Sequence, residues 1–489
     1  MTAIFGDSFD PYAVTADAVA GYWDSGTTTS YTLQPGRFTG SQALRNAANT
    51  AWLTKSSGAN DAIHHFIFSI EQTAALTGTT AGFYLELFDA TTAQCSIVFR
   101  SDGAMLLTSG GPTGSTLATY TGAISAQNTW TAFEIEIVVA TGATGSITVR
   151  KNGNTGAADF TAGSLVTAGG ATHSYANKLT IGQNATVTNQ LIDDLLWRSD
   201  ATSVAWLGDI RAYQQMPASD ASVQFAKSPT TVTTTPFSGS STLSKASGAG
   251  LMAAFTAPYT GTIASVTVQV STGGTGNLKA AIYDAAKANV LATSNAVVNP
   301  VAGAVAITFG TPLSVTKGTV YHLAVDADFT IIYTVTSSSS AGFSFTTAYA
   351  SFPASSPTIA ATAAFIFSVV TTPTVNAELV GETLQDGTTS YVFDATVGHG
   401  DLYAITPLAS TPNSIIGVNT RAFMSKSDAG SRSGQIQIKS GSTTVNSTPL
   451  VLSTSFGWNS RFDLLDPNGN VAWTAAAVNA LNIGPSVAS

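Results

Sequence analysis

Short runs in which apolar and polar residues alternate recur along the whole chain, whereas long helical periodicity is almost absent. In Phe133–Val139 and in Val266–Val270 every second residue is β-branched or aromatic. A spacing of two is typical of strands with one buried face. After the strand-like run Ser146–Arg150, the dipeptide Asn152-Gly153 supplies the positive φ angles of a tight hairpin turn. The pattern predicts an all-β protein made of short antiparallel strands.

One helix is predicted, near the C-terminus. Residues 473–481 are rich in Ala, follow the turn-forming run Asp466–Gly469 and precede Gly484-Pro485. Short antiparallel strands separated by turns are otherwise typical of two-sheet sandwiches. The predicted fold is therefore a series of tandem antiparallel β-sandwiches, a jelly roll first, with one short helix near the C-terminus.

Charged residues are scarce and mainly acidic. They make up 10% of the 489 residues, and 19 Lys and Arg against 28 Asp and Glu give a net charge of −9; an ordinary soluble protein has about 25%. An acidic chain lacks the basic surface of a nucleic-acid-binding protein and is not attracted to an anionic membrane. No apolar run approaches the ~20 residues of a membrane-spanning helix. We therefore expect neither nucleic acid nor membrane as a partner.

The single cysteine and the N-terminal residues indicate where the chain is made. Cys95 alone excludes a disulfide framework. The first ten residues, MTAIFGDSFD, lack the basic and apolar parts of a signal peptide. Thr- and Ser-rich strands with little charge are nevertheless typical of extracellular adhesive proteins. A bacteriophage virion protein meets both conditions, because it is assembled in the host cytoplasm and released by lysis.

Changes in composition divide the chain into four parts. A stretch rich in Pro, Ser and Thr separates two strand-rich blocks, and Pro373 marks the next boundary. The predicted organisation is a jelly roll over 1–215, a linker over 216–242, a middle β-sandwich over 243–371 and a C-terminal β-sandwich module over 374–489.

Short motifs in the first and last blocks carry a resemblance to known modules. In the first block they are Phe5–Asp10, Tyr22-Trp23, Gly36–Phe38, Gln42–Arg45, Ile192–Leu195 and Leu207–Arg211. In the last block they are Asp401–Ala404, Ser427–Arg432, Leu452–Gly457 and Trp473–Ala480. The first block resembles a concanavalin-A/laminin-G-like jelly roll as found in phage tail proteins, and the last resembles a C-terminal module of such proteins.

The resemblance implies an arrangement and a setting. In the family these two modules lie closer together along the chain, so the middle sandwich is expected to be an insertion. The first and last strands of such a jelly roll pair, which would bring the Asp7–Asp10 segment beside Asp193-Asp194. The resemblance further implies a tail fibre, a collar or a capsid-surface appendage, and it brings no catalytic residues with it.

Four aspartates are the candidate metal ligands. Asp7, Asp10, Asp193 and Asp194 would supply hard carboxylate oxygens to Ca²⁺, an ion that jelly rolls of this type often bind. The competing interpretation is that these residues cap turns at strand ends and stay solvated. We predict no other cofactor.

Two glutamates on one strand face invite comparison with glycoside hydrolases. Glu134 and Glu136 share a face, as the catalytic carboxylates of jelly-roll hydrolases do, but Val138 stands where a third carboxylate is expected. The competing interpretation places the intervening isoleucines inward and both glutamates in water. His64 and His65 point to opposite faces of a strand and so do not share a metal ion. We predict no catalytic residues and a protein that is not an enzyme.

Aromatic side chains are the candidate glycan contacts, although most tryptophans are expected in the core. The candidates are Trp23, Trp52, Trp130, Trp197, Trp206, Trp458 and Trp473. The sequence as a whole predicts a virion structural protein, a homo-oligomer and by analogy a trimer, that contacts other virion proteins and a host-surface glycan. Two alternatives stay open: a glycan-binding receptor module, and a polysaccharide depolymerase on a jelly-roll fold.

Overall fold

The computed structural model places these residues in two compact units. It describes residues 3–10, 12, 22–27, 31–39, 41–46, 52–170, 173–183, 189–200, 205–228, 232–336, 342–346, 348–349, 352, 360–381 and 390–489. The first unit contains Met1–Met216 and Thr396–Ser489, and the second contains Pro217–Glu382 with Asp386–Ala395. In the described part of the chain, no helix is long and apolar enough to cross a membrane.

In the residues that the structure describes, the first unit begins with fifteen strands that form a jelly roll. They are β1 (Ala3–Asp7), β2 (Ser25–Gly26), β3 (Tyr31–Pro35), β4 (Gln42–Asn46), β5 (Trp52–Asp61), β6 (Ile63–Gln72), β7 (Ala81–Asp89), β8 (Thr92–Arg100), β9 (Met105–Ser109), β10 (Thr116–Tyr120), β11 (Thr131–Val138), β12 (Gly145–Lys151), β13 (Phe160–Leu165), β14 (Ala176–Gln183) and β15 (Gln190–Asp200). The first sheet has the order β13-β12-β11-β6-β15-β4-β3, with β1 beside β15, and the second has the order β10-β9-β8-β7-β14-β5-β2.

Aromatic residues from both sheets meet in the jelly-roll core. Phe68 and Phe133 of the first sheet contact Phe99 of the second, with ring centroids 5.8 and 5.0 Å from it. The alternation predicted for β11 is observed, because Ile135 and Ile137 are buried in the same core. The predicted pairing of the first and last strands is also observed, with Asp7 opposite Leu195.

The second unit is another two-sheet sandwich. Its elements are β16 (Pro217–Ser222), β17 (Ala226–Ser228), β18 (Val232–Thr234), β19 (Ser241–Lys245), β20 (Ala249–Thr256), β21 (Gly261–Thr272), β22 (Asn277–Tyr283), β23 (Val290–Thr293), β24 (Val297–Val298), β25 (Gly303–Val315), β26 (Val320–Ala327), β27 (Ile331–Val335), β28 (Gly342–Thr346), β29 (Ala360–Thr362), β30 (Phe367–Pro373), α1 (Ala377–Val380) and β31 (Tyr391–Phe393). One sheet has the order β18-β30-β21-β27-β19 with β25 beside β21, and the other the order β23-β22-β26-β20-β28-β29 with β24 beside β22. The segment 216–242, expected as a linker, thus carries β16, β17, β18 and the start of β19.

The C-terminal part of the first unit forms a smaller sheet and a separate hairpin. Its elements are β32 (Leu402–Ile405), β33 (Val418–Met424), β34 (Ser433–Ser440), β35 (Thr443–Asn446), β36 (Leu450–Val451), β37 (Gly457–Asp463), β38 (Leu465–Asp466), β39 (Val471–Ala472), α2 (Ala475–Asn479) and β40 (Asn482–Val487). Strands β32, β40, β34 and β35 pair in that order, and β33 pairs with β37.

The predicted all-β fold with a short helix near the C-terminus is confirmed. Helix α2 begins after Thr474, whose hydroxyl accepts a 3.1 Å hydrogen bond from the Ala477 amide, because Thr is a favourable N-cap residue. Val478 and Trp473 bury that helix against the small sheet. The four-residue helix α1 was not predicted, since one helical turn is too short to show periodicity.

Candidate functional site

The side chain of Asp7 lies in a closed group of donors. Its carboxylate accepts hydrogen bonds from the Phe9 amide at 3.0 Å, the Tyr12 hydroxyl at 2.7 Å and the Trp23 indole at 2.8 Å. The guanidinium of Arg421, on β33, lies 3.3 Å from the same carboxylate. Asp7 therefore fixes the first strand against neighbouring elements through bonds to the protein itself.

The other three candidate ligands also accept bonds from the chain. Asp10 accepts from the Gln42 amide at 2.6 Å, and Asp193 accepts from the Arg37 amide at 2.8 Å. Burial, together with the adjacent carboxylate of Asp194, raises the pKa of Asp193. Among the residues that the structure describes, no group of three or more His, Cys, Asp or Glu is arranged to hold a metal ion. The Ca²⁺ site stays a prediction for these four residues.

Residues 205–213, here called the strap, lie against the outer face of the first sheet. The Leu207 and Gly208 amides donate to the Glu134 carboxylate at 2.6 and 2.7 Å. The Ala212 amide of the strap donates to Asp194 at 3.0 Å. The expectation that Glu134 lies in water is therefore wrong: its exposed fraction is 3%, because the strap covers it.

Positive side chains surround Glu134 beneath the strap. Arg198 donates to His65 Nδ1 at 2.8 Å, and His65 Nε2 lies 3.4 Å from Glu134. Burial, with Arg198 and Arg150 nearby, lowers the pKa of His65 to about 3. Burial raises the pKa of Glu134, and the two strap amides oppose that rise. These contacts hold the strap to the sheet, and the strap makes Glu134 inaccessible to ligands.

His64 and His65 lie on opposite faces of β6, as predicted. His64 is in the core, where its Nε2 lies 2.9 Å from the Asp61 carbonyl and its Nδ1 accepts from the Trp197 indole at 3.3 Å. Burial lowers the pKa of His64 to about 4. A shared metal site for the two histidines is therefore geometrically excluded.

The tryptophans do not form an exposed glycan-stacking surface in the described part of the chain. Trp23, Trp197 and Trp473 are buried, whereas Trp130, Trp206 and Trp458 are half-buried. Trp206 lies under the guanidinium of Arg150, 4.4 Å from ring centroid to Cζ. The side chain of Trp52 lies outside the described residues.

The second sheet carries a row of polar side chains on its outer face that the sequence analysis missed. The row crosses five neighbouring strands in register and consists of Thr54, Thr180, Glu86, Ser96 and Thr108. The Thr54 and Thr180 hydroxyls are 3.2 Å apart. All five side chains are buried, although they point away from the core. The row is therefore a recessed polar floor, here called the polar row.

Glu86, at the centre of the polar row, is a carboxylate without a donor. Among the described residues, none donates a hydrogen bond to it. Burial raises the pKa of Glu86 to about 7, and Lys178 opposes the rise. Tyr84 and Phe88 flank it along β7 on the same face, because side chains two residues apart share a face. The Lys178 ammonium lies 4.5 Å from the Phe88 ring centroid.

A glycine-rich loop covers one end of the polar row. The Ser96 hydroxyl donates to the Gly110 carbonyl at 2.9 Å, and the Thr108 hydroxyl donates to the Gly111 carbonyl at 3.0 Å. A Cβ atom at Gly111 would lie 3.2 Å from Glu86 Oε1. The loop therefore covers the row from Thr108 as far as Glu86.

An oriented histidine lies just beyond the end of β7. His173 Nδ1 is 2.7 Å from an oxygen of Asp89, the last residue of β7. The imidazole stacks on Tyr175, with ring centroids 4.8 Å apart, and its side chain is half exposed. The Asp89 contact fixes the ring orientation.

One signal in the sequence pointed to Glu86. In Gly82–Phe88 the residues Tyr84, Glu86 and Phe88 share one strand face, and the leucines between them face the core. An acid between two aromatic residues on a non-core face is readable from period-2 alternation. The pattern does not reveal which of the strand faces that point away from the core is recessed.

Comparisons with known proteins concern the fold. No family model and no curated protein match the chain. Domain 4 of AbnA, a GH43 extracellular arabinanase from Geobacillus stearothermophilus, in complex with arabinotriose, is 18% identical, with a TM-score of 0.28 over 41% of this chain and 93% of that one. The alginate lyase Aly36B is 10% identical, with a TM-score of 0.28 over 41% and 98%. The catalytic domain of a glycoside hydrolase family 131 protein from Coprinopsis cinerea is 15% identical, with a TM-score of 0.29 over 43% and 99%.

These neighbours are jelly-roll and β-sandwich folds that bind or act on glycans, and two of them are enzymes. The prediction of a protein that is not an enzyme is therefore contradicted and is withdrawn, since glycoside hydrolase and polysaccharide lyase folds are among the similar structures. The jelly-roll part of the predicted resemblance is confirmed, whereas its phage tail-protein part stays a prediction.

Proposed function

We propose that this protein binds carbohydrate on the outer face of the second jelly-roll sheet, at the polar row. The observation that carries the proposal is Glu86, a buried carboxylate to which no described residue donates a hydrogen bond. The Glu86 oxygens are not among the fully enclosed side-chain atoms, so a ligand that donates hydrogen bonds can reach them. Sugar hydroxyl groups are such donors.

The neighbours of Glu86 fit a sugar in two further ways. The hydroxyls of Thr54 and Thr180 both donate and accept, as sugar hydroxyls do. Tyr84 and Phe88 provide apolar ring atoms beside the polar row for the C–H faces of a pyranose. Neighbouring strands lie ~4.8 Å apart, so the two strand intervals from Thr54 to Glu86 span roughly 10 Å. The polar row is therefore long enough for about two sugar units.

The test is binding of polysaccharide by the full chain and its variants. Host cell-surface polysaccharide, immobilised in a native affinity gel, should retard the wild-type chain. Glu86→Gln should reduce the retardation at least tenfold, because a neutral amide is a weaker acceptor and brings its own N–H groups. Glu136→Gln, the same change on the other sheet, is the matched control and should bind as the wild type. Equal retardation of all three chains would overturn the proposal.

Cleavage of the bound polysaccharide is a second candidate function, and the pKa of Glu86 favours it. With a pKa of about 7, the carboxyl group is present in both protonation states at neutral pH, which suits a group that gives or takes a proton. Glu86 would then give its proton to the glycosidic oxygen while a solvent water attacks the anomeric carbon. The bond to the leaving oxygen breaks, a bond to the water oxygen forms, and the proton lost by the water passes to solvent. Release of reducing ends from the same polysaccharide, lost in Glu86→Gln and kept in Glu134→Gln, would support this function. Binding of the polysaccharide without release of reducing ends would support carbohydrate binding and contradict cleavage.

The biological setting that we propose is a bacteriophage virion. The motifs of the first and last blocks, the low charge and the single cysteine support an appendage protein of a tail fibre, collar or capsid surface, assembled in the host cytoplasm. The scarcity of charge leaves self-association unopposed by repulsion, which supports a homo-oligomer, by analogy a trimer. The position of the protein in an electron-microscopy map of the particle tests the setting. A mass near 50 kDa by light scattering would contradict the oligomer.

A further inference from the structure

Lys178 lies on the outer face of the second jelly-roll sheet, directly beside the polar row. It is two residues from Thr180 on β14, and its neighbours in register are Ser56 on β5 and Phe88 on β7. Side chains two residues apart share a strand face and lie ~7 Å apart along it. We propose that the carbohydrate bound at the polar row is an acidic polysaccharide, and that Lys178 binds its carboxylate or sulfate groups.

The Lys178 ammonium is a positive charge that the protein does not pair. Among the residues that the structure describes, none forms an ion pair or a hydrogen bond with its Nζ atom. The ammonium lies 4.5 Å from the Phe88 ring centroid, and this cation–π contact holds the half-buried side chain on the outer face. The same charge opposes the rise in the pKa of Glu86, so it acts on the polar row itself. Its N–H groups are available to a negatively charged group of a ligand.

Ser56 supplies a second donor beside this ammonium. It is exposed and lies opposite Lys178 on the same sheet face. The carboxylate of Asp24 accepts from the Ser56 amide at 2.7 Å, but the Lys55 ammonium lies 3.2 Å from that carboxylate and balances its charge. A carboxylate or sulfate between Lys178 and Ser56 would therefore accept from an ammonium and from a hydroxyl, and hydrogen bonds between two charged groups are the stronger kind.

One sugar unit can reach both Glu86 and Lys178. The two residues are diagonal neighbours on adjacent strands, which places their side chains ~7–8 Å apart. A hydroxyl on one edge of a pyranose ring can then donate to Glu86, while an acidic group on the opposite edge accepts from Lys178. Because that acidic group lies nearer to Lys178 than to Glu86, the attraction outweighs the repulsion. The inference rests on the proposed function, since it adds a charged group to the same site.

The experiment measures how strongly native gels that each contain one polysaccharide retard the full chain. The acidic probes are polygalacturonate, polyglucuronate and dextran sulfate, and the matched neutral probes are the two carboxyl-reduced polymers and dextran. At least one acidic probe should bind the wild type about tenfold more tightly than its neutral match, the difference expected for one charged hydrogen bond. Lys178→Met should lose that difference, whereas Lys178→Arg, which keeps the charge, should retain it. The polyuronates and dextran sulfate together distinguish a carboxylate from a sulfate.

The matched control is Lys151→Met. The Lys151 ammonium also lies over a ring, 5.0 Å from the Tyr120 centroid, but Lys151 belongs to β12 of the first sheet, so this variant should prefer the acidic probe as the wild type does. Added salt should reduce the preference of the wild type, because salt screens the attraction between charges.

Three outcomes would overturn the inference while the proposed function stands. The first is equal retardation by acidic and neutral probes that is lost in Glu86→Gln. The second is a preference for an acidic probe that survives Lys178→Met. The third is retardation by host cell-surface polysaccharide that depends on Glu86, with none by the acidic probes. Failure of every polysaccharide, the host polysaccharide included, to retard the wild type would overturn both proposals.

Discussion

The guanidinium of Arg421 lies 3.3 Å from the carboxylate of Asp7, although 414 residues separate them in the chain. The same guanidinium stacks on the Tyr22 ring, 3.6 Å from its centroid, and donates to the Gly6 carbonyl at 2.9 Å. The ion pair is almost fully enclosed, with side-chain exposures of 11% and 0%. The first strand of the jelly roll and the C-terminal hairpin are thus joined by a buried charge pair, so they are expected to unfold together.

Arg421→Met should destabilise the first unit strongly. The change leaves the buried carboxylate of Asp7 without its positive partner, and breaking a buried pair from one side costs about 3–5 kcal/mol. Urea denaturation followed by tryptophan fluorescence measures the effect. The double variant Asp7→Asn/Arg421→Met should recover part of the loss, because no unpaired charge remains.

The matched control is Arg432→Met, which breaks the exposed pair of Arg432 and Asp428. Exposed pairs contribute little to stability, so this variant should unfold close to the wild type. Equal effects of Arg421→Met and Arg432→Met would contradict the importance of the buried pair.

Glu134→Gln should loosen the strap while leaving the jelly roll folded. The Leu207 and Gly208 amides lose a charged acceptor, and replacing it by a neutral amide costs about 1–3 kcal/mol. Hydrogen exchange of the peptide that contains 205–213 should speed up, whereas exchange of β7 and β14 should stay slow. Glu136→Gln is the control, and faster exchange across the whole sheet in Glu134→Gln would mean that the carboxylate supports the sandwich itself.

Glu86 should make the stability of the jelly roll fall as the pH rises. Its pKa rises from 4.5 to about 7 on folding because of burial, so the folded chain favours the protonated form. The cost is absent below pH 4.5, grows between pH 4.5 and 7, and is complete above that. The full shift corresponds to about 3.4 kcal/mol, and partial contact of the carboxylate with solvent makes the expected cost smaller than that. Glu86→Gln should therefore be more stable than the wild type at pH 8 and equally stable at pH 4. If the free energies of unfolding of the two chains changed in parallel between pH 4 and pH 8, the prediction would be wrong.

Local patterns predicted local elements well. The alternating run Val266–Val270, predicted as a strand, lies within β21, and Asn152 and Gly153 both have the positive φ that the hairpin turn requires. Alternation and turn chemistry are properties of neighbouring residues, so they can be read from the sequence directly.

Burial that is caused by segments distant in the chain could not be predicted from the sequence. Glu134 has the alternation of a solvated residue, and only the strap, more than seventy residues later, encloses it. Glu86 occupies an equivalent outward position on its own sheet, yet a neighbouring loop and strand leave it recessed without a donor. A small cavity lined by Lys55 of the jelly roll and by Asn419 and Phe462 of the β33–β37 hairpin likewise depends on residues far apart in the chain, a relationship that no local pattern carries.

The second unit should fold on its own when it is expressed as residues 217–395. Its two sheets enclose a separate core that includes Phe255, Tyr333, Phe365 and Phe367, and β17 pairs with β31 near its two ends. A core of this kind supports independent folding in domains of this length. Circular dichroism and a single cooperative urea transition measure it, with dispersed amide NMR signals as the control for fixed packing. A chain that is collapsed but lacks a cooperative transition would mean that the unit needs the rest of the protein to fold.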